Sequence, residues 1–305
     1  MSKSKRKSVL LVIGILLALL IIPSSVLAQL KNSKTGHWQV SISYPRFKSK
    51  GPVANMANSA SMRAERNDYR EFLKLIKGAG MSSGVVASDR FSLIVTPTVT
   101  VDSPTICSGY VERYEYTGGA NANTTYNVIN YAKFNDSVEK IYLQDLFHSA
   151  TDAVKESSNA IKELLELMQA TPSAISSGTW KTLTDEQAQR FAIEKYGLLF
   201  LFNKYELGSG AEGDRKVLVP YSALNGLDKE GILKPIIEEL EKSSLFKLAS
   251  GKWVLESIQY NDDTTINAEP NDENNWIEFK YGNVIGRAGI NRFRGSYKAT
   301  EDGTL

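Results

Sequence analysis

The stretch that decides the fold is residues 198–221, which have the sequence LLFLFNKYELGSGAEGDRKVLVPY. Gly208, Gly210 and Gly213 form a G-x-G-x-x-G pattern, which in dinucleotide-binding proteins ends a strand and opens a helix. The apolar run at 198–202 can supply the strand. The segment 217–220 is β-branched and stopped by a proline, so it predicts a second strand instead of a helix. We therefore predict a glycine-rich hairpin loop and no bound cofactor.

The N-terminus has the pattern of a secretory signal. Four basic residues precede a run of 14 residues at 9–22 that is apolar apart from one glycine. As a helix this run spans roughly 21 Å, short of a hydrocarbon core of about 30 Å. We predict a signal peptide over residues 1–28, cleaved between Ala28 and Gln29. A retained membrane anchor is the alternative, if the helix continues through Pro23.

Charge and cysteine content exclude several classes of protein. Removing the four basic residues of the signal from a formal charge of +2 leaves −2, so no nucleic-acid partner is expected. The membrane would be a partner only through an uncleaved signal segment. Cys107 is the only cysteine, which excludes an intramolecular disulfide, and we expect it to be a small buried side chain.

Hydrophobic periodicity predicts an α+β first domain, an antiparallel sheet with helices, over residues 29–248. Strands are predicted at 38–44, 91–95, 109–116, 126–131, 191–193, 198–202 and 217–220. Helices are predicted at 52–77, at 235–246 as a connector, and after an N-cap at Thr151 or Asp152. A continuous helix over 184–196 is the alternative to the hairpin at 191–202. The charged residues of the first helix are predicted to form a solvated face: Arg63, Glu65, Arg66, Asp68, Arg70 and Glu71.

A composition change at 249–251 marks the predicted domain boundary. The all-β pattern beyond it predicts strands at 252–258 and 276–279 and a pair at 283–297, with a polar loop at 261–275. Residues 301–303 form a hairpin turn signal, and the chain ends as a returning strand would begin. We expect this second domain to be incomplete.

Catalytic motifs are scarce. His37 and His148 have no partners at zinc spacing, and no nucleophile motif occurs. Paired carboxylates could serve a glycosidase, the candidates being Glu112, Glu115, Glu206 and Glu212. A cell-wall-active enzyme is therefore the alternative to a protein without catalysis.

Tyrosines give the better candidate site. Tyr110, Tyr114 and Tyr116 recur on one predicted strand, and Tyr205 and Tyr221 flank the glycine loop. Such residues bury apolar area while keeping a hydroxyl, which suits a protein or sugar ligand. They are equally typical of a half-buried sheet face.

Several short motifs, in order, resemble the extracytoplasmic domain shared by lysozyme-sensing anti-sigma factors of the RsiV type and PdaC-type peptidoglycan deacetylases. The similarity covers residues 38–227. The motifs are Ile42-Ser43-Tyr44-Pro45-Arg46-Phe47, Tyr114-Glu115-Tyr116-Thr117-Gly118-Gly119-Ala120, Leu143-Gln144-Asp145-Leu146-Phe147, the segment from Gly197 to Phe202, Tyr205-Glu206-Leu207-Gly208 and Val219-Pro220-Tyr221-Ser222-Ala223-Leu224. Asn121 stands where the family often has histidine. The resemblance implies an α+β fold and an envelope role, often without catalysis.

Residues 249–305 resemble the first half of a META, or HslJ-like, domain. The similarity lies in Gly251-Lys252-Trp253-Val254-Leu255 and in the segment from Gly286 to Tyr297. Ile290 stands where many members have cysteine. The resemblance implies a small β-rich fold.

Together these features predict an exported bacterial envelope protein, periplasmic or extracellular, or anchored by its N-terminus. Its function would be to bind or sense a protein, such as a lysozyme, or a cell-wall glycan. Tyr114, Tyr116 and Tyr205 are the candidate ligand-binding residues. A structural or stress-related envelope role is a further alternative.

Overall fold

A computed structural model describes residues 32–34, 38–78, 91–118, 121–134, 136–242, 252–259, 264–267, 274–280 and 283–296. The predicted signal peptide, its cleavage site and the predicted domain boundary lie outside these residues. Within them the chain is a mixed α/β protein built from several sheets and a few helices.

A six-stranded sheet, the large sheet, forms the centre of the first domain. Its strands follow one another in chain order: β1 (Asn32–Lys34), β2 (Trp38–Ile42), β3 (Phe91–Asp102), β4 (Ile106–Tyr116), β5 (Asn123–Phe134) and β6 (Ser137–Lys140). All neighbours are antiparallel except β2 and β3, which are parallel. The prediction of a fully antiparallel sheet is thus wrong. The helix α1 (Pro52–Gly78) lies between β2 and β3 in the chain and returns it to the end of the sheet where β2 began, so β3 runs in the same direction as β2.

A three-stranded sheet, the small sheet, covers part of the large one. It contains β7 (Phe191–Ile193), β8 (Gly197–Phe202) and β9 (Arg215–Pro220), all antiparallel. The hairpins on both sides of β8 are confirmed, and a continuous helix over 184–196 is wrong. Only α4 (Asp185–Ala188) forms there, capped by Thr184 and Gln187.

The burial of β8 explains its unbroken apolar sequence. Leu199 and Leu201 pack with Tyr110 and Tyr126 of the large sheet. Alternate residues on the other face join the main core, which includes residues of α2 (Ala150–Leu167). Because both faces of β8 are buried, polar and apolar residues do not alternate along its sequence.

The first domain therefore has four layers: α1, the large sheet, the small sheet and α2. Phe72 of α1 packs with Leu93, Val95 and Val111 on the face opposite the small sheet. The remaining α-helices in the described ranges are α3 (Ser173–Ser176) and α5 (Lys234–Lys242), and 3₁₀ turns form at Leu143–Leu146 and Tyr221–Ala223. The helix α2 begins at Ala150, so its N-cap is Ser149, not Thr151 or Asp152.

Residues beyond 251 form two further sheets. Strands β10 (Lys252–Val254), β13 (Asn275–Lys280), β14 (Asn283–Ala288) and β15 (Asn291–Ser296) form one, and β11 (Ser257–Gln259) pairs with β12 (Thr265–Asn267). The single strand predicted over 252–258 is thus two strands in different sheets. The predicted loop at 261–275 contains β12.

Candidate functional site

The predicted row of tyrosines lies on β4. It runs from a part of the large sheet that the small sheet covers to a part that is not covered. Tyr110, Tyr114 and Tyr116 share one side of the strand because strand side chains alternate. Tyr110 is buried under the small sheet, edge-on to Tyr126 with ring centroids 6.3 Å apart. Tyr114 is 40% exposed, and Tyr116 is half-buried.

The neighbours of Tyr114 make this part of the sheet polar and aromatic. In register, Tyr114 lies beside Ile94 on β3 and Thr124 on β5. Thr96 and Thr98 continue the same side of β3 and are exposed. We call this area, residues 94, 96, 98, 114, 116 and 124, the open face.

A charged cluster marks the border between the open face and the small sheet. The Lys216 ammonium lies 2.6 Å from the Glu112 carboxylate and about 5 Å from the ring centres of Tyr110 and Tyr126. The Tyr126 hydroxyl donates to Asp214. Burial, followed by this hydrogen bond, raises the pKa of Tyr126. A lysine between two tyrosine faces gains cation–π attraction as well as its ion pair.

The loop after β8 fixes Tyr205 in an unusual conformation. Tyr205 has φ +73°, in the left-handed region, and is 64% exposed. Glu206 holds the turn by accepting from the backbone N–H of Asn203 at 2.9 Å and pairing with buried Arg190. Asn203 in turn accepts a hydrogen bond from the N–H of Tyr126 at 3.0 Å, which ties the loop to β5.

Two of the three glycines of this loop lie against side chains. A Cβ on Gly210 would lie 2.4 Å from the Tyr205 ring, and one on Gly208 would lie 2.3 Å from the Glu212 carboxylate. The loop joins two antiparallel strands, and no helix follows it. The prediction of a hairpin loop is therefore confirmed, and the fingerprint lacks the helix N-terminus that binds a pyrophosphate.

The carboxylate of Glu212 closes the loop. It accepts hydrogen bonds from the Ser173 hydroxyl, the Ser173 N–H at 3.0 Å and the Ser209 N–H at 2.9 Å. These bonds, with the Ser173 hydroxyl contributing most, lower the pKa of Glu212 from 4.5 to about 2.

We expect the Glu212 contacts to persist through mild acid. A lowered pKa means that the bonds are fully present above pH 4.5 and are lost as pH falls through about 2. An NMR titration of the side-chain carboxyl should have its midpoint near the lower value. Ser173→Ala should move that midpoint upward. A midpoint at the ordinary glutamate value in the unaltered chain would contradict this geometry.

The four candidate catalytic carboxylates have separate contacts. Glu112 pairs with Lys216, Glu115 with Arg113, Glu206 with Arg190, and Glu212 with the two serines. Glu112 and Glu115 also lie on opposite sides of β4, because they are an odd number of residues apart. Each of the four carboxylates is thus held by contacts of its own.

Other predicted residues have clear positions. Cys107 is buried as expected, and burial raises its pKa. His148 is exposed, 3.9 Å from Asp228, and His37 lies outside the described residues. Within the described part of the chain, no three side chains group as a metal site.

The solvated-face prediction is wrong for Glu65 and Asp68, which are 4% and 7% exposed, because α1 turns them toward the sheet.

Comparison with known families finds two matches along the chain. Residues 31–124 match the family model described as deacetylase PdaC. Residues 144–222 match that described as a protein of unknown function, DUF3298. The chain carries a PdaC domain and a DUF3298 domain. Tyr114 and Tyr116 belong to the PdaC domain, and Tyr205 with its loop belongs to the DUF3298 domain.

Among the solved structures that resemble the chain are two crystal structures of DUF3298 family proteins. One is a DUF3298 family protein from Pseudomonas aeruginosa PAO1, with 20% identity and a TM-score of 0.36, covering 45% of this chain and 62% of that one. The chain thus spans less than two thirds of that protein. The other is a DUF3298 family member from Bacteroides fragilis NCTC 9343, with 15% identity, a TM-score of 0.41 and coverage of 61% and 74%. No curated protein matches the chain.

The two domains indicate a cell-envelope-associated protein, and the PdaC domain indicates an extracytoplasmic one. No helix in the described ranges is both long and apolar enough to cross a membrane. The resemblances to anti-sigma factors and to META domains stay predictions.

Sequence reasoning found the tyrosines but missed the residues around them. Lys216, Asp214 and Tyr126 come from three places in the chain, and their meeting depends on how the two sheets pack. No sequence pattern predicted the left-handed backbone conformation of Tyr205, since tyrosine rarely adopts that conformation.

Proposed function

We propose that this protein is a non-catalytic binding module of the cell envelope. Its ligand would be a protein, such as a lysozyme, or a cell-wall glycan. The ligand would contact the tip of the Tyr205 loop and the open face around Tyr114 and Tyr116. We also propose that residues 1–28 direct export, which follows from the sequence pattern at the N-terminus.

One observation carries the proposal: a strained loop presents an exposed aromatic ring. A left-handed conformation costs a non-glycine residue about 1–2 kcal/mol, and such strain concentrates at ligand sites. Lys204 lies above the same ring, with its ammonium 5.3 Å from the centroid. The surrounding loop is fixed by Glu206 and Glu212, so little entropy is lost when a ligand binds.

The open face supplies a second contact area of the same character. Exposed tyrosine beside threonines gives apolar surface together with hydroxyl groups, a composition that suits both protein and sugar ligands. It lies in the PdaC domain, whereas Tyr205 lies in the DUF3298 domain. A ligand that touched both would need the two domains to be packed as they are here.

The test uses the purified full chain titrated with lysozyme and, separately, with soluble peptidoglycan fragments. Tyr205→Asn removes the ring but keeps a residue that tolerates the left-handed conformation. We expect at least about tenfold weaker binding, with the free energy of unfolding unchanged or raised by up to about 1 kcal/mol because the left-handed strain is partly relieved. Tyr114→Ala should weaken binding in the same direction.

Tyr196→Ala is the matched control, because Tyr196 is similarly exposed but lies on the β7–β8 turn. It should leave binding unchanged. If Tyr205→Asn, Tyr114→Ala and a Tyr114/Tyr116/Tyr205→Ala triple variant all bind both ligands like the unaltered chain, the proposed contact surface is wrong.

A further inference from the structure

A cavity opens on the other side of the large sheet, between the end of β2 and the edge of β3. The N–H of Ser43 bonds the carbonyl of Val95 at 3.1 Å, and the chain then turns across the sheet. Strand β3 continues without β2. The cavity between them measures about 320 Å³ and is lined by Ser43, Tyr44, Pro45, Arg46, Glu65, Pro97 and Val99. Its volume is at the lower end for ligand pockets.

A buried carboxylate and a half-exposed guanidinium form the polar part of this cavity. Glu65 is 4% exposed and pairs with Arg46, whose side chain is 47% exposed. Arg46 also donates to the backbone carbonyls of Tyr44 at 3.4 Å and Pro45 at 3.3 Å. One carboxylate and two carbonyls are together a receptor for a planar guanidinium fork.

A second ion-pair network lies beside Glu65. One turn further along α1, Asp68 accepts from the Tyr44 hydroxyl at 2.8 Å and lies 3.6 Å from Arg113. Arg113 is shared with Glu115 at 2.5 Å. The contacts described here thus join three carboxylates, Glu65, Asp68 and Glu115, to two guanidinium groups. Burial, outweighing the effects of Tyr44 and Arg113, raises the pKa of Asp68.

A second buried polar group lies on the same stripe of α1. Ser61, one turn before Glu65, is fully buried, and its hydroxyl has no hydrogen-bond partner within the described structure. The middle of the helix–sheet interface is therefore polar, where packing alone would favour apolar residues.

We propose that this cavity binds an arginine side chain of a protein partner, whose guanidinium replaces that of Arg46 on Glu65. Arg46 lies on a segment without regular secondary structure and its side chain is half-exposed, whereas Glu65 is buried on the helix. The stem of the incoming side chain would pack on Pro97 and Val99. This site is on the side of the large sheet opposite the open face, so it is independent of the proposed tyrosine surface.

The test measures binding of N-acetyl-arginine methylamide to the full chain by NMR shifts, with the citrulline analogue as the neutral isostere. We expect saturable shifts at Arg46 and Val99, and at least about tenfold weaker binding of the citrulline compound. Arg46→Ala removes the internal competitor and should strengthen binding about threefold to fivefold. Glu65→Gln should weaken it at least about tenfold.

A steric variant keeps the test valid should Glu65→Gln fail to fold. Val99→Phe fills the mouth of the cavity from an exposed position and should abolish binding, and Met62→Phe, on the exposed side of α1, should not. Equal binding of the citrulline compound, loss of binding in Arg46→Ala, or unchanged binding in Val99→Phe would each overturn the proposal. None of these results depends on Tyr114, Tyr116 or Tyr205.

Discussion

Replacing Asn130 by leucine is expected to lower the free energy of unfolding by about 3 kcal/mol. Asn130 is 1% exposed and lies between the two sheets. Its amide donates to the Phe191 carbonyl at 2.7 Å, and its carbonyl accepts from the Ser108 hydroxyl at 2.8 Å. Leucine has a similar volume, but it leaves the buried Phe191 carbonyl without this donor and the Ser108 hydroxyl without an acceptor for its proton.

The bonds of Asn130 belong to a polar seam between the large sheet and the edge of β7. Ser108 accepts from the Ile193 N–H at 2.7 Å, and Thr100 donates to the Ile193 carbonyl at 2.6 Å. The outward-facing N–H and C=O groups of an edge strand normally form hydrogen bonds with water or with another strand. Here side chains of the large sheet satisfy them.

Urea unfolding followed by the fluorescence of Trp180, which is buried in the main core, measures this effect. Asn123→Leu is the matched control, since Asn123 is exposed on the same strand, and it should change stability by no more than about 0.5 kcal/mol. Similar stability of the two variants would show that the seam contributes little.

Gly197→Ala is expected to cost about 3 kcal/mol or more, or to prevent folding. Gly197 pairs with Pro220 across the β8–β9 hairpin. A Cβ there would lie 2.2 Å from the Val219 carbonyl oxygen and 2.7 Å from the Pro220 Cα. Because both are backbone atoms, the contact can be relieved only by separating the two strands.

Gly213→Ala separates this steric effect from that of backbone conformation. Gly213 has φ +75°, but a Cβ there would meet nothing within 4 Å. Its substitution should therefore cost only about 1–2 kcal/mol, from the left-handed conformation alone. Thermal unfolding of both variants gives the comparison, and an equal loss in the two would contradict the steric argument for Gly197.

Local sequence signals predicted the elements that local physics determines. The run at 198–202, with a proline-stopped partner at 217–220, could only be two strands joined by a loop, and it is a hairpin. The helix at 52–77 was predicted almost to its ends, because a proline opens it and a glycine closes it. Thr184 and Gln187 form a capping box, which is a local pattern too, and it starts the helical turn α4.

Contacts between distant segments determine the features that local sequence patterns could not predict. The charge of Glu65 and Asp68 predicted solvent exposure, but Arg46, Arg113 and Tyr44 come from distant segments to pair with them. The parallel pairing of β2 with β3 likewise depends on where α1 packs. For the candidate site, alternation along β4 correctly put Tyr114 and Tyr116 on one side. It could not show that the small sheet stops short of them.

The polar seam allows the contact between the PdaC and DUF3298 domains to be followed at a single backbone amide. The N–H of Ile193 bonds to Ser108 of the large sheet, not to its neighbour β8. Hydrogen exchange at this one amide therefore depends on the two sheets staying docked, even while the β7–β8 ladder is intact. A ligand or partner that pulls the PdaC and DUF3298 domains apart would speed exchange there before any strand unfolds.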